Sequence, residues 1–311
     1  MLRHVGVDDA TVWVETDAPC EVEVLGAPQR TFCVAGHHYA LVCVEGLAPA
    51  ARTAYEVRLD GRTRWPEPGS PYPAPPKDRP YLEEVQRSPG KLRIAWSSET
   101  PSGRPIEPEI QAALERTAAL LKGLGHEVFE RGLGIDYRAL YASRGPAAAA
   151  NFAAGMARLI DEIGREPEPD ELEPLTWASL KAGRRQTGAD VMRSLQETRV
   201  LNRLTLAAFE DIDVYLCPVM GTPVPEIGHI DPVNLEPKEV NRRQGRIFPF
   251  TPPFNYSGQP SMSLPLEMSA DGLPIGMMFT AKFADEATLF RLAAQLEKEA
   301  PWAARRPQVW G

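Results

Sequence analysis

"FTPPFNYSGQPSMSLPLEMSADGLPIGMMF", Phe250–Phe279, carries the densest pattern in the chain. It opens on prolines and aromatic residues, turns at Gly258 and Pro260, and enters two apolar runs, "PSMSLPLEM" and "LPIGMMFTA". Apolar runs of that length bounded by Gly and Pro predict core strands. The stretch also holds four serines, three of them (Ser257, Ser261 and Ser263) within seven residues. Such a turn either presents a nucleophile or walls a pocket whose nucleophile lies elsewhere.

A serine hydroxyl needs a base before it attacks anything. The G-x-S-x-G nucleophile elbow is absent, and "YSGQPS" does not substitute for it. There are five histidines: His4, His37, His38, His126 and His229. His126 opens a strand after "GLG", where packing or capping is the expected role. His37 and His38 fall in a polar hairpin turn. The lysines of the larger part, Lys77, Lys91, Lys122, Lys181, Lys238, Lys282 and Lys298, stand apart from any Gly/Ser-rich loop. "WSSETPSGRP", Trp96–Pro105, lacks flanking glycines to bare its amides as an oxyanion hole, and reads as a loop. No catalytic residue is assigned. The acidic "DEIGREPEPDELEP" scatters its carboxylates among prolines, and no CxxC pair exists, so no metal site is expected. Neither GxGxxG nor GxxxxGK[ST] is present, so no cofactor is expected.

A net charge of -8 argues against nucleic acid and anionic membranes as partners. No apolar run reaches about 20 residues, the length of a membrane span, and "MLRHVGVDDATVWVE" is unlike a secretory leader. The four cysteines, Cys20, Cys33, Cys43 and Cys217, predict buried thiols in a reduced, cytoplasmic protein.

Upstream the pattern changes. "ATVWVET", "CEVEVL", "RTFCVA", "YALVCVEG" and "TAYEVRLDG" alternate with period two, separated by turn-like "DAP", "GAPQ", "AGHH" and "GLAPAA". Five or six such strands predict a small all-β, fibronectin-like sandwich over residues 1–65. Residues 66–80, "PEPGSPYPAPPKDRP", hold seven prolines in fifteen positions and read as a linker. Residues 81–311 mix strands with long helical patterns, including one over "YRALYASRGPAAAANFAAGMARLIDEIG" expected to break at Gly145-Pro146, and this predicts an α/β domain.

That larger part, from about Asp78 to Gly311, resembles the C-terminal half of an amidase-signature enzyme. "GKLRIAWSSETPSGRPIEPEIQAALERTAALLKGLGHEVFE" resembles the family's strand, D/E-P-E-V helix and G-H-x-V strand. "DIDVYLCPVMGTPVPEIG" resembles D-V-L-L-T-P-T…P-x-P-x-x-G. The opening stretch and its continuation to Trp302 resemble N-x-x-G-x-P-A-x-S-x-P…G-L-P-x-G-x-Q…D-E-x-x-L-x-x-A-x-x-x-E. The wording is nearest the 6-aminohexanoate-cyclic-dimer hydrolase branch. The resemblance implies a partial mixed sheet with flanking helices and the cleavage of carbon–nitrogen amide bonds. In that family a Ser nucleophile, a second Ser in cis-peptide geometry and a Lys base come from a G-G-S-S-G-G-S-like segment, which has no counterpart here. It implies pocket-wall positions only, at Phe250, Phe254, Asn255 and Gly258, and partners that are a small amide or a complementary amidase N-terminal half. An open sheet edge further implies self-association. The β module resembles the N-terminal domain of PhoD-like alkaline phosphatase family proteins. A non-catalytic binding or scaffold protein is the competing expectation.

Overall fold

The structure is a computed structural model that describes residues 2–49, 53–65, 77–100 and 102–306. Pro66–Pro76, most of the expected linker, lie outside the described residues. The chain divides into two compact units, Met1–Pro80 and Tyr81–Gly311.

The first unit contains β1 (Leu2–Val5), β2 (Ala10–Thr16), β3 (Glu21–Val24), β4 (Ala27–Arg30), β5 (Phe32–Val34), β6 (His37–Val44), β7 (Val57–Leu59) and β8 (Arg62–Trp65). They form two antiparallel sheets, ordered β1-β2-β6-β5 and β4-β3-β7-β8. One apolar cluster draws Val12, Val42 and Val44 from the first sheet and Val22, Val24 and Val57 from the second. Three of its hairpins turn on a positive-φ pair ending in glycine: Leu25-Gly26, Ala35-Gly36 and Asp60-Gly61.

Two expectations about this unit need correcting. Only Gly26 of "GAPQ" belongs to the turn, because Ala27–Arg30 is strand β4, paired with β3. β4 is an edge strand, where Pro28 forfeits no ladder bond. The thiols are also not uniformly buried: Cys217 is, but Cys33 and Cys43 are exposed. Period two explains Cys43, which points away from the core between buried Val42 and Val44.

The second unit runs α1 (Tyr81–Glu84), β9 (Arg93–Trp96), α2 (Pro108–Gly123), β10 (Glu127–Glu130), α3 (Tyr137–Ile163), α4 (Pro174–Arg184) and α5 (Gly188–Ala207). It continues with β11 (Val214–Pro218), α6 (Pro237–Ile247), α7 (Pro252–Ser257), β12 (Ser261–Met268), β13 (Pro274–Ala281) and α8 (Glu286–Glu299). The five strands make one mixed sheet, β10-β9-β11-β13-β12. β9 is parallel to β10 and β11, while β13 is antiparallel to β11 and β12. Every residue of β11 is buried, as a central strand covered on both faces requires. Ile110, Leu114 and Leu121 of α2 and Leu289, Leu292 and Leu296 of α8 recur at helical spacing and pack into the same core.

α3 does not break at Gly145-Pro146 and is continuous for 27 residues. Proline removes one ladder donor and crowds the preceding turn. Ser194 of α5 mends the ladder beside it: its hydroxyl accepts from the Ala147 N–H at 3.1 Å and donates to the Ser143 carbonyl at 2.5 Å. Thr198 bonds the Ser143 hydroxyl at 3.0 Å, so α5 clasps α3 where the sequence is weakest. On another face α4 approaches α3 at Gly183, where a Cβ would lie 2.1 Å from the Ala149 carbonyl oxygen.

Candidate functional site

The opening stretch folds as a short helix followed by a hairpin. Pro252 and Pro253 begin α7, where a missing N–H costs nothing. Gly258 ends the helix at φ +74°, its N–H bonded to the Phe254 carbonyl at 2.9 Å. Of the four pocket-wall positions, Phe250 and Phe254 are buried in the core. The Phe254 ring stands edge-on to Phe209 and tilts against Tyr215. Asn255 and Gly258 are exposed. The serines are engaged locally. Ser257 donates to Gln259 Oε1 at 3.0 Å, and Ser261 shares a hydrogen bond with Thr280 at 2.7 Å. Ser263 lines a cavity of about 100 Å³ with Val219, Leu273 and Gly276.

His126 is a scaffold residue. Its Nδ1 accepts the Leu92 N–H at 3.1 Å, which makes Nε2 the protonated nitrogen, facing Gln295 Oε1 at 2.9 Å.

A cleft of about 830 Å³ lies beyond the C-terminal ends of the parallel strands β9 and β11. Open α/β sheets bind ligands at that end. The loop after β9 supplies Thr100, Ser102, Arg104 and Ile106, and α3 supplies Arg138 and Tyr141 from its first two turns. Asn241, Arg242 and Arg246 come from α6, and the segment beyond it adds Phe248, Pro249 and Pro252. Thus the cleft is walled by the chain neighbours of Phe250 and Phe254, and none of the four expected wall positions lines it.

Backbone bonds fix these walls to one another. Glu107 N–H reaches the Gly221 carbonyl and Gly221 N–H the Ile247 carbonyl, both at 3.0 Å. The Tyr141 hydroxyl donates to the Pro249 carbonyl at 3.3 Å. Burial first, and the neighbouring Tyr256 second, push the Tyr141 phenol well above its ordinary value, so it stays neutral and a donor. Arg242 is held in a fork by Glu239, with two contacts of 2.6 Å, and Arg246 pairs with Glu107. Arg242 and Arg243 together hold the Glu239 carboxyl down at about 2.

Sequence reasoning named none of the cleft's arginines. "NRRQGR" in α6 was the available signal, but Arg104 and Arg138 join it only through the fold. The first unit offers a contrast: its hollow of about 540 Å³ sets Arg58 against Glu56 and Glu23, which neutralise it.

An open mixed sheet with a ligand-sized cleft at its strand ends defines an α/β ligand-binding or catalytic domain. Residues 47–290 match the family described as "Amidase", and the chain belongs to that family. Residues 1–77 match a domain of unknown function (DUF7800). The 6-aminohexanoate-cyclic-dimer hydrolase of Pseudomonas sp. (strain NK87) is 34% identical over 257 residues, covering 78% of this chain and 51% of that protein. The enzyme of the same name from Paenarthrobacter ureafaciens is 33% identical over 252 residues, with the same coverage. A solved 6-aminohexanoate cyclic dimer hydrolase superposes with a TM-score of 0.68 at 25% identity, covering 96% of this chain and 66% of that one. The chain spans about half the length of the curated relatives it matches. Among the described residues no helix is long and apolar enough to cross a membrane.

Proposed function

We propose that these 311 residues form an amidase-family relative that does not cleave amides by itself, because they lack the Ser–cis-Ser–Lys segment. One observation carries the reading. In the opening stretch, which lies inside the family match, Ser257 and Ser261 engage Gln259 and Thr280, a pairing that activates neither hydroxyl. A small amide, such as the cyclic diamide in the relatives' name, is the substrate class of any complete assembly. Labelling with a fluorophosphonate that captures activated serines is a direct test. Mass spectrometry is expected to return unmodified protein. A stoichiometric adduct on any serine contradicts the proposal.

A second reading has its own support. β12 is paired on one side only among the described residues, and Ser261 and Ser263 on it are exposed. An open edge suits a split-enzyme subunit that receives strands from a complementary amidase half, or a scaffold that self-associates. Pull-down of an amidase N-terminal half from the host supports the split enzyme; recovery of the chain alone counts against it. The first unit is the recognition module in this reading, fibronectin-like and akin to the domain that precedes PhoD-like phosphatases. Four free thiols fit a reducing, cytoplasmic compartment.

A further inference from the structure

The cleft's charge is out of keeping with the chain. The protein carries a net charge of -8, yet the described residues that line the cleft include four arginines and no carboxylate. Glu239 and Glu107 answer Arg242 and Arg246, but neither acid is part of the wall. Arg104 and Arg138, both exposed, have no carboxylate partner among the described residues. Arg138 is also badly placed for an unaccompanied cation. It sits in the first turn of a 27-residue helix that has no acidic residue in that turn. Helix N-termini favour negative charge and disfavour positive charge. Asp136, the N-cap, already accepts the Ala139 N–H at 2.9 Å. An anion between Arg104, Arg138 and the helix end would relieve that repulsion and accept charge-assisted hydrogen bonds.

The remaining wall is apolar. Ile106, Tyr141 and Phe248 face the same space with Pro105, Pro249 and Pro252, and Phe248 is 45% exposed. A volume of about 830 Å³ exceeds what a bare inorganic ion fills and falls in the range of small-molecule sites.

We propose that this cleft binds a small organic carboxylate, its acid group held by Arg104 and Arg138 and its apolar body laid against Tyr141 and Phe248. The site stands whether or not the chain hydrolyses amides, since no bond is made or broken in it.

The test uses the full chain in low-salt buffer, titrated calorimetrically with hexanoate, its neutral isostere hexanamide, and inorganic phosphate. Hexanoate is expected to bind, and hexanamide about ten-fold more weakly or not at all. Arg104→Gln and Arg138→Gln are each expected to weaken hexanoate about ten-fold. Arg116→Gln, at an arginine paired with Glu267 away from the cleft, is expected to change nothing. Phe248→Ala is expected to weaken hexanoate and leave phosphate unchanged, which separates the apolar wall from the charges. Circular dichroism confirms that each variant is folded; an unfolded Arg104 or Arg138 variant is replaced by Lys at the same position, expected to bind with intermediate strength. Equal binding of hexanoate and hexanamide overturns the role of charge. Phosphate binding as tightly as hexanoate overturns the organic ligand. Failure of hexanoate to bind at millimolar concentration overturns the site.

Discussion

A buried histidine in a hydrolase-like domain invites a catalytic reading, and His126 shows why geometry must come first. Both ring nitrogens are committed, to Leu92 and to Gln295, across the junction of β10, β9 and α8. His126→Phe leaves the buried Leu92 amide without its acceptor and is expected to cost about 2–3 kcal/mol, read as a lower urea midpoint at unchanged m-value. An unchanged midpoint contradicts the scaffold role. The sequence placed His126 one residue from the strand start at Glu127, because "GLGH" after an amphipathic run is a local signal. Arg104, Arg138 and Arg246 were illegible for the opposite reason. An arginine on a loop, one in a helix start and one in a helix end read singly as solvated charges, and only tertiary structure turns them toward one space.

Elements show the same division between local and non-local signals. β11 and β13 were readable as buried strands, since they are nearly continuous apolar runs between turn residues; β12 was readable as a strand, but at the edge of the described sheet it buries only Leu264 and Leu266. The integrity of α3 was not readable, because the residue that supports it across Pro146 lies 48 positions later on α5. Ser194→Ala is expected to destabilise by about 1–2 kcal/mol in thermal or urea unfolding. Stability equal to the parent shows that α3 tolerates its proline unaided. Gly183→Ala forces a methyl onto the Ala149 carbonyl and is expected to cost about 2–3 kcal/mol in the same measurement; a neutral result means α4 can move away freely. α6 carries a pH signature. Glu239 is depressed in the folded protein to about 2, against about 4.3 in an unfolded chain. A lowered carboxylate stabilises above its unfolded value, and that contribution fades as pH falls through the folded one. The Glu239 clasp is therefore expected to be complete at pH 5 and lost near pH 2, followed by carboxyl NMR titration. A Glu239 midpoint near 4 contradicts it.

At the scale of the molecule, the chain pairs a small unit of antiparallel sheets with one five-stranded mixed sheet of the amidase family. The switch from period-two runs to helical runs falls near the boundary of the two compact units. The short strands β1, β4 and β8 were not legible, since "LRHV", "APQR" and "RTRW" hold too few apolar residues to mark one face of a strand. Sheet edges at β10 and β12 lead to the expectation that the chain associates with itself or with a partner at micromolar concentration, visible as concentration-dependent sedimentation. A sharp monomer across that range counts against it. The central claim is that this chain has the amidase fold without amidase chemistry, and amine release from 6-aminohexanoate cyclic dimer by the homogeneous chain tests it most directly. The account predicts release indistinguishable from buffer. Release that co-purifies with the chain and disappears in Ser261→Ala would contradict it.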